Sequence, residues 1–482
     1  MPSINKKSLR EAFDQLKGEF DRLTGEGKVN AETGALIRAM ILLFELLVAV
    51  FMEKTTKKNS RNSSLPSSQT GKDETTEHPG PKGKGHQQND TGCRNSRTLE
   101  TTQIARLSDC ESCGEDIRDT PVIGHERRTL IDIVFEKVVN HVDAEIKVCP
   151  RCRTQNKGAF PQEMSGPLQY GPGIKGYAMN LLIAQMLSLK RVQQSIKTLI
   201  GQALSEATLL KYVMQLHLAL EAWEQATTEQ LLQMPSLHVD ETSLRVERKN
   251  HWIHVYSAGD FTIKRLHPKR GLEAIEEIGI IARYGGTAIH DCWQSYLSYD
   301  HCDHGLCGSH LLRELTFIVD SNGYAWASNM KRLLKENCAI VAKRDSKQLT
   351  EQEYKHLQKR YRNILTRGEK ELPPIPLKPS GKRGKVAKSD AHNLWERLKK
   401  YEKAVLLFAR FSHVPFTNNR AERDLRMSKV KQKVSGCFRT RKYAEAYCRI
   451  SSYLQTMANQ GYNPLVAIQM AFAGQIYAGG GE

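Results

Sequence analysis

Two cysteine pairs and three widely separated acids are the residues whose types and spacing suit chemistry. Cys110-x2-Cys113 and Cys149-x2-Cys152 together read CxxC-x35-CxxC. Each pair brings two thiolates of one tight knuckle to the same ion, and two knuckles complete a closed, structural Zn2+ site. A redox pair or unrelated buried thiols is the alternative. Asp240 stands at the end of a strand pattern in HVDET, and Asp291 does so in IHDCW. If those strands lie side by side, the two carboxylates become neighbours, each raises the other's pKa, and a divalent cation is invited. Singly, an acid at a strand end is more often a turn former. Glu422 is the third acid, about one turn into a helix that Thr417 or Asn418 can cap. Arg426, Lys429 and Lys433 follow at +4, +7 and +11 and share its face. A carboxylate at the head of a basic stripe fits a metal ligand beside a phosphate track, while the plainer alternative is a surface ion pair.

The elements that must position these groups can be read along the chain. Residues 1–52 carry Ile37, Ile41, Phe44, Val48 and Phe51 at helical spacing. That apolar face needs a partner, either a second copy or the rest of the protein. Residues 53–106 are rich in Ser, Thr, Gly, Pro and Lys and read as a flexible linker. The cysteine unit occupies 107–155, with short strands expected at Ile131–Val134 and Glu145–Val148. Residues 156–230 are helical by pattern. Gly201 separates two short helices there and Ser205 caps the second, a candidate helix-turn-helix or simply two packed helices.

From 231 the texture changes. SLHVDETSLRV, HWIHVYSAGD and FTIKRLHP read as a three-stranded antiparallel meander. A helix over Leu272–Tyr284 and a strand over Thr287–His290 follow. A charged helical insertion at about 321–410, broken by a Pro/Lys-rich loop over 371–389, leads to the closing helices. The catalytic unit is expected to span 231–478.

The chain has 482 residues, 71 of them Lys or Arg against 53 Asp or Glu, a formal charge of +18. Residues 321–450 hold 32 basic and 12 acidic side chains, so the excess belongs to that region. It favours a polyanion, and nucleic acid fits better than a membrane because the charge surrounds the third acid. Neither a disordered nor a fibrous chain fits 39% hydrophobic and 26% charged residues. The apolar run over 35–52 falls short of the ~20 residues of a span and carries Arg38 and Glu45, so it reads as a buried or self-associating helix. The start lacks the layout of a secretory signal, and the protein is expected in the cytoplasm.

Together, HVDET, IHDCWQSY, LCGSHLLREL and TNNRAERDLRMSKVKQKVSGCFRT resemble the insertion sequence 66 family of bacterial transposases. The resemblance covers nearly the whole chain and is most specific in NN-x-AER and GCFRT. It implies an α+β multidomain protein: a ribonuclease-H-like α/β catalytic core with a helical insertion, preceded by a zinc ribbon and helical segments. It implies that Asp240, Asp291 and Glu422 are the catalytic triad, holding two Mg2+ (or Mn2+) ions, and that Cys110, Cys113, Cys149 and Cys152 hold one Zn2+. In such an enzyme water frees a 3′-hydroxyl at the transposon end, and that hydroxyl attacks a target phosphodiester. Arg420, Arg423, Arg426, Lys429 and Lys433 are the expected nucleic-acid contacts.

Cys307 and His310 match the family's Cys-x2-His element, for which packing at the active-site edge or contact with DNA is expected. The neighbouring Asp300–His304 is rich enough in ligands to suggest a second zinc, a reading less favoured than packing. Trp293 is expected in the core. Double-stranded DNA, at transposon ends and target, is the expected partner, with a homo-oligomer and small accessory proteins encoded by the same element. Two other readings stay open: an inactive zinc-ribbon, helix-turn-helix regulator, and another ribonuclease-H-like nuclease.

Overall fold

In the computed structural model the structure describes residues 6–56, 58, 62, 102–131, 136–164, 166–373, 375 and 388–476. Most of the expected linker, most of the strand expected at Ile131–Val134 and most of the Pro/Lys-rich loop lie outside these residues. The chain divides into two compact units, Met1–Gly85 with Glu224–Cys448 and His86–Trp223 with Arg449–Glu482.

Along the chain, α1 (Lys6–Gly25) and α2 (Ala31–Thr55) come first. Asn30 caps α2 by accepting from the Thr33 amide, which starts the helix earlier than the apolar run does. At 25 residues α2 is long and apolar enough to cross a membrane, and Leu36, Met40, Phe44 and Leu47 are exposed on it. Its far end is anchored within the first unit. The buried Glu53 carboxylate accepts from the Asp390 and Ala391 amides at 2.7 and 3.0 Å, and from Asn322 Nδ2. The linker's first residues are thus helical and packed.

A hairpin of β1 (Ile146–Val148) and β2 (Gln155–Lys157) flanks the second cysteine knuckle. Helices α3 (Pro172–Met179), α4 (Leu189–Ile200), α5 (Glu206–Ala219) and α6 (Glu221–Leu232) come next, with a π turn at Asn180–Ala184. Gly201 closes α4 at φ 69°, a left-handed cap that glycine takes without a Cβ penalty, and Ser205 caps α5 by accepting from the Thr208 amide. Two helices about a tight turn are therefore present where the sequence suggested them.

The sheet holds β3 (Ser236–Val246), β4 (Lys249–Ala258), β5 (Phe261–His267), β6 (Thr287–His290) and β7 (Asp303–Leu306) in the order β5-β4-β3-β6-β7. The first three pair antiparallel, and β6 and β7 join parallel. All four residues of β6 are buried, as an inner strand covered on both faces requires. The meander and β6 match the pattern reading. The expected single helix between β5 and β6 is instead α7 (Leu272–Ile278) and α8 (Ile280–Arg283), broken at Gly279 with φ 72°. Edge strand β7 has no β-branched residue to announce it.

Beyond β7 run α9 (Gly308–Asn322), α10 (Ala325–Lys343), α11 (Glu351–Glu371), α12 (Asp390–Lys400) and α13 (Glu402–Arg410), the helical insertion. They share one apolar core through Leu315, Trp326, Leu334, Tyr361, Leu398 and Leu407. Then α14 (Asn419–Ser435) lies across β3 and β4, and α15 (Arg441–Asn459) and α16 (Pro464–Phe472) close the described chain.

Candidate active site

Asp240 is the fifth residue of β3, so it sits mid-strand and not at the strand's end as the pattern suggested. The parallel register pairs Ser236 with Thr287 and His238 with Ile289. Continued two residues, that register sets Asp240 opposite Asp291, which immediately follows β6. Burial pushes the Asp240 carboxyl well up, and the nearby Glu241, Asp291 and Glu422 carboxylates push it further, while the Glu241 amide donates to it at 2.8 Å and opposes them. Like charges crowded in this way seek a cation.

The chain kinks after Asp291. Cys292 adopts φ 74°, a left-handed conformation costly for a residue with a Cβ. Two hydrogen bonds hold it: the Cys292 amide donates to His290 Nδ1 at 3.1 Å, and the Trp293 amide donates to Asp291 Oδ1 at 3.1 Å. The tautomers follow from the acceptors. The Tyr299 carbonyl can only accept, so His304 Nε2 carries a proton and its Nδ1 accepts from His290 Nε2 at 3.1 Å. His290 is fully buried and its pKa falls to about 3, through burial and then His304. Both rings are neutral, and the pair braces the backbone that carries Asp291.

Glu241 is neutralised on the spot. Arg270 donates to its Oε1 from Nε at 2.7 Å and from Nη2 at 2.5 Å, and Tyr296 donates to Oε2 at 2.8 Å. The guanidinium lies between the Trp252 and Trp293 rings at 5.1 and 4.4 Å. Trp293 is thus half-buried and stacked, and not simply core. This Glu–Arg–Trp assembly escaped the sequence reading, because nothing local marks Arg270 as facing Glu241.

Glu422 arrives from the first turn of α14. Asn418 is the residue before that helix, yet its side chain makes no cap hydrogen bond. Its Nδ2 donates to the Val239 carbonyl at 2.8 Å, its Oδ1 lies 2.9 Å from His238 Nδ1, and its amide donates to Cys307 Sγ at 3.1 Å. Asn418 therefore clasps β3, the start of α9 and α14 together, within reach of Asp240. Gly308 belongs to the same clasp. Its amide donates to the Phe416 carbonyl at 2.8 Å, and an added Cβ would stand 2.2 Å from the Phe416 ring.

Among the described residues, the set of three His, Cys, Asp or Glu groups with ligand atoms all within 4.8 Å of one another is Cys307, His310 and Glu422. Asp240, Asp291 and Glu422 share an electrostatic neighbourhood without forming so tight a set. Within Asp300–His304 four groups are paired otherwise: His301 with the Ile281 carbonyl, Cys302 with the Tyr299 carbonyl, His304 with His290, and Asp303 with Lys403.

The basic stripe divides. Arg420 is turned inward, its Nε 3.2 Å from the fully buried Asp424 and its Nη1 donating to the Gly259 carbonyl at 2.6 Å. Ser257 and Thr262 donate to the same Asp424 oxygen, which locks α14 onto the β4–β5 hairpin. Arg423, Arg426 and Lys433 are exposed, and Lys429 is half-buried. The GCFRT segment docks too, with Phe438 bridging Val246 at the end of β3 and the Arg248 amide donating to Cys437 Sγ.

In the second unit, each cysteine pair forms its knuckle. The Gly114 amide donates to the Cys110 carbonyl and the Arg153 amide to the Cys149 carbonyl, both at 2.8 Å. Hydrogen bonds from the Ser112 and Cys113 amides lower the Cys110 thiol, and bonds to Thr154 bring the Cys152 thiol down to about 7. Among the described residues the two pairs do not gather into one ligand set. The β1–β2 hairpin, whose turn carries Cys149 and Cys152, is exposed throughout.

A search of curated proteins finds no match to the chain. The family model described as "Transposase IS66 family" matches residues 167–446, which include the whole sheet, all three acids, Cys307 and His310, and the insertion, while the four paired cysteines precede it. That match spans more than half of the sequence, and the chain belongs to the IS66 family of transposases.

Proposed function

We propose that the protein binds transposon ends and catalyses metal-dependent DNA cleavage and strand transfer, with Asp240, Asp291 and Glu422 as its catalytic carboxylates. The observation that carries this reading is the parallel β3–β6 register, which sets Asp240 opposite Asp291 while α14 supplies Glu422 to the same electrostatic neighbourhood. Sheet order β5-β4-β3-β6-β7, three strands antiparallel and two parallel, supports a ribonuclease-H-like core. The all-oxygen donor set and the raised Asp240 pKa fit Mg2+ or Mn2+.

Bound there, two such ions would supply activation of the attacking hydroxyl and stabilisation of the leaving oxygen. The chain's own residues do the rest. Asn418 orients the turn carrying Glu422, the His290–His304 pair holds the kink beneath Asp291, and Arg270 keeps Glu241 from competing as a fourth charge. Arg423, Arg426, Lys429 and Lys433 line a phosphate track along α14. Their charge gives affinity without sequence information. End recognition falls to α4–α5, and the paired cysteines close on zinc as a ribbon. The exposed apolar face of α2 is the association surface of a homo-oligomer acting on DNA in the cytoplasm.

Asp240→Asn, Asp291→Asn and Glu422→Gln are each expected to abolish strand transfer on end-sequence DNA while leaving end binding largely intact. Retained strand transfer in any one of them removes that residue from the triad.

A further inference from the structure

The Cys-x2-His element has a local logic. Cys307 is the N-cap of α9 and His310 its third helical residue, and side chains at those two positions face each other across a first turn. The Asn418 amide donates to the Cys307 sulfur at 3.1 Å. Burial raises the Cys307 thiol pKa and the amide hydrogen bond opposes that shift, so a bound cation is what would hold the sulfur as thiolate. Glu422 meets them from the opposing first turn of α14.

The distances suit a shared ion better than direct contact. His310 Nδ1 lies 3.6 Å from Glu422 Oε1, beyond a hydrogen bond. Ligands at bonds of about 2.0–2.1 Å to one tetrahedral zinc stand about 3.3–3.5 Å apart, close to that spacing. Both atoms are buried and have no hydrogen-bond partner, which folded proteins avoid unless something else binds there. Arg313 Nη2 is 3.8 Å from the same oxygen, also outside hydrogen-bond range.

We propose that Cys307, His310 and Glu422 form a zinc site of one thiolate, one imidazole and one carboxylate, separate from the four-cysteine unit and adjoining Asp240 and Asp291. A sulfur ligand selects against Mg2+, which prefers oxygen, and favours Zn2+. Three protein ligands leave a fourth position open, as in zinc sites that meet water or substrate. Binding through Oε1 leaves the second Glu422 oxygen for the acidic neighbourhood, so the ion acts as an anchor for that side chain. The inference rests on the ligand set and stands whether or not strand transfer is observed.

The test is zinc content of the full chain after loading with Zn2+ and dialysis, compared with Cys307→Ser and His310→Gln. Each variant is expected to lose one equivalent per chain, whereas Cys110→Ser/Cys113→Ser keeps that equivalent. With Co2+ in place of Zn2+, the thiolate-to-cobalt absorption that persists in a variant lacking all four paired cysteines is expected to vanish on adding Cys307→Ser. Equal zinc content in the parent and in folded His310→Gln overturns the proposal. So does unchanged zinc content accompanied by weaker DNA binding, which would make His310 a DNA contact.

Discussion

Asn418 and Asn419 are chemically identical neighbours, and the structure gives them opposite fates. Asn418 is 1% exposed and holds Val239 and His238, whereas Asn419 is exposed at the first position of α14. Asn418→Ala leaves the buried Val239 carbonyl without its partner, a loss of about 1–3 kcal/mol. The half-buried His238 loses a second bond worth about 0.5–1.5 kcal/mol. Together the substitution costs about 2–4 kcal/mol, while Asn419→Ala stays within about 0.5 kcal/mol.

Activity responds more steeply, because a displacement of about 1 Å in a catalytic group costs about 10²-fold. The assay pairs urea unfolding, followed by tryptophan fluorescence, with metal-dependent cleavage of end-sequence DNA. Four of the five tryptophans, Trp252, Trp293, Trp326 and Trp395, lie in the unit that contains Asn418 and report on it directly. Equal stability and equal cleavage in the two alanine variants would refute the clasp.

Three further outcomes follow from other contacts. Arg420→Ala is expected to destabilise by about 2–4 kcal/mol, since it strips a cation from the buried Asp424, while leaving the salt dependence of DNA binding unchanged. Replacing Arg423, Arg426, Lys429 and Lys433 together does the reverse, flattening the slope of log affinity against log salt by up to about 0.9 per charge in a binding titration; a slope that follows Arg420 instead counts against the division of the stripe. Burial raises the Glu53 pKa although two amides of α12 oppose the shift, so the folded state holds its proton to higher pH than the unfolded state, which ionises near about 4.3. Parent stability therefore falls as pH rises from that value towards the raised one, and Glu53→Gln, which cannot ionise, should gain on the parent between acid and neutral pH in denaturation experiments; a constant difference refutes the burial of an ionising Glu53.

Much of this protein was legible without coordinates, and for local reasons. Period-two patterning located β3, β4, β5 and β6, Ser205 announced its own cap, and each CxxC implied its knuckle, because all of these depend on residues within a few positions of one another. The acids Asp240, Asp291 and Glu422 were marked by their surroundings in the sequence. Tertiary structure decided what those surroundings do. It placed Asp240 mid-strand, added β7 without any propensity signal, and turned Asn418 from a helix cap into a clasp reaching 179 residues back to Val239. It withdrew Arg420 from the basic stripe to serve Asp424, and set Arg270 against Glu241. It also brought Cys307 and His310 to Glu422 and left the two cysteine pairs apart. Propensity and spacing act over a turn or a strand, whereas the partner of a buried polar group is chosen by which distant segments pack against it, and that choice exists only once the chain has folded.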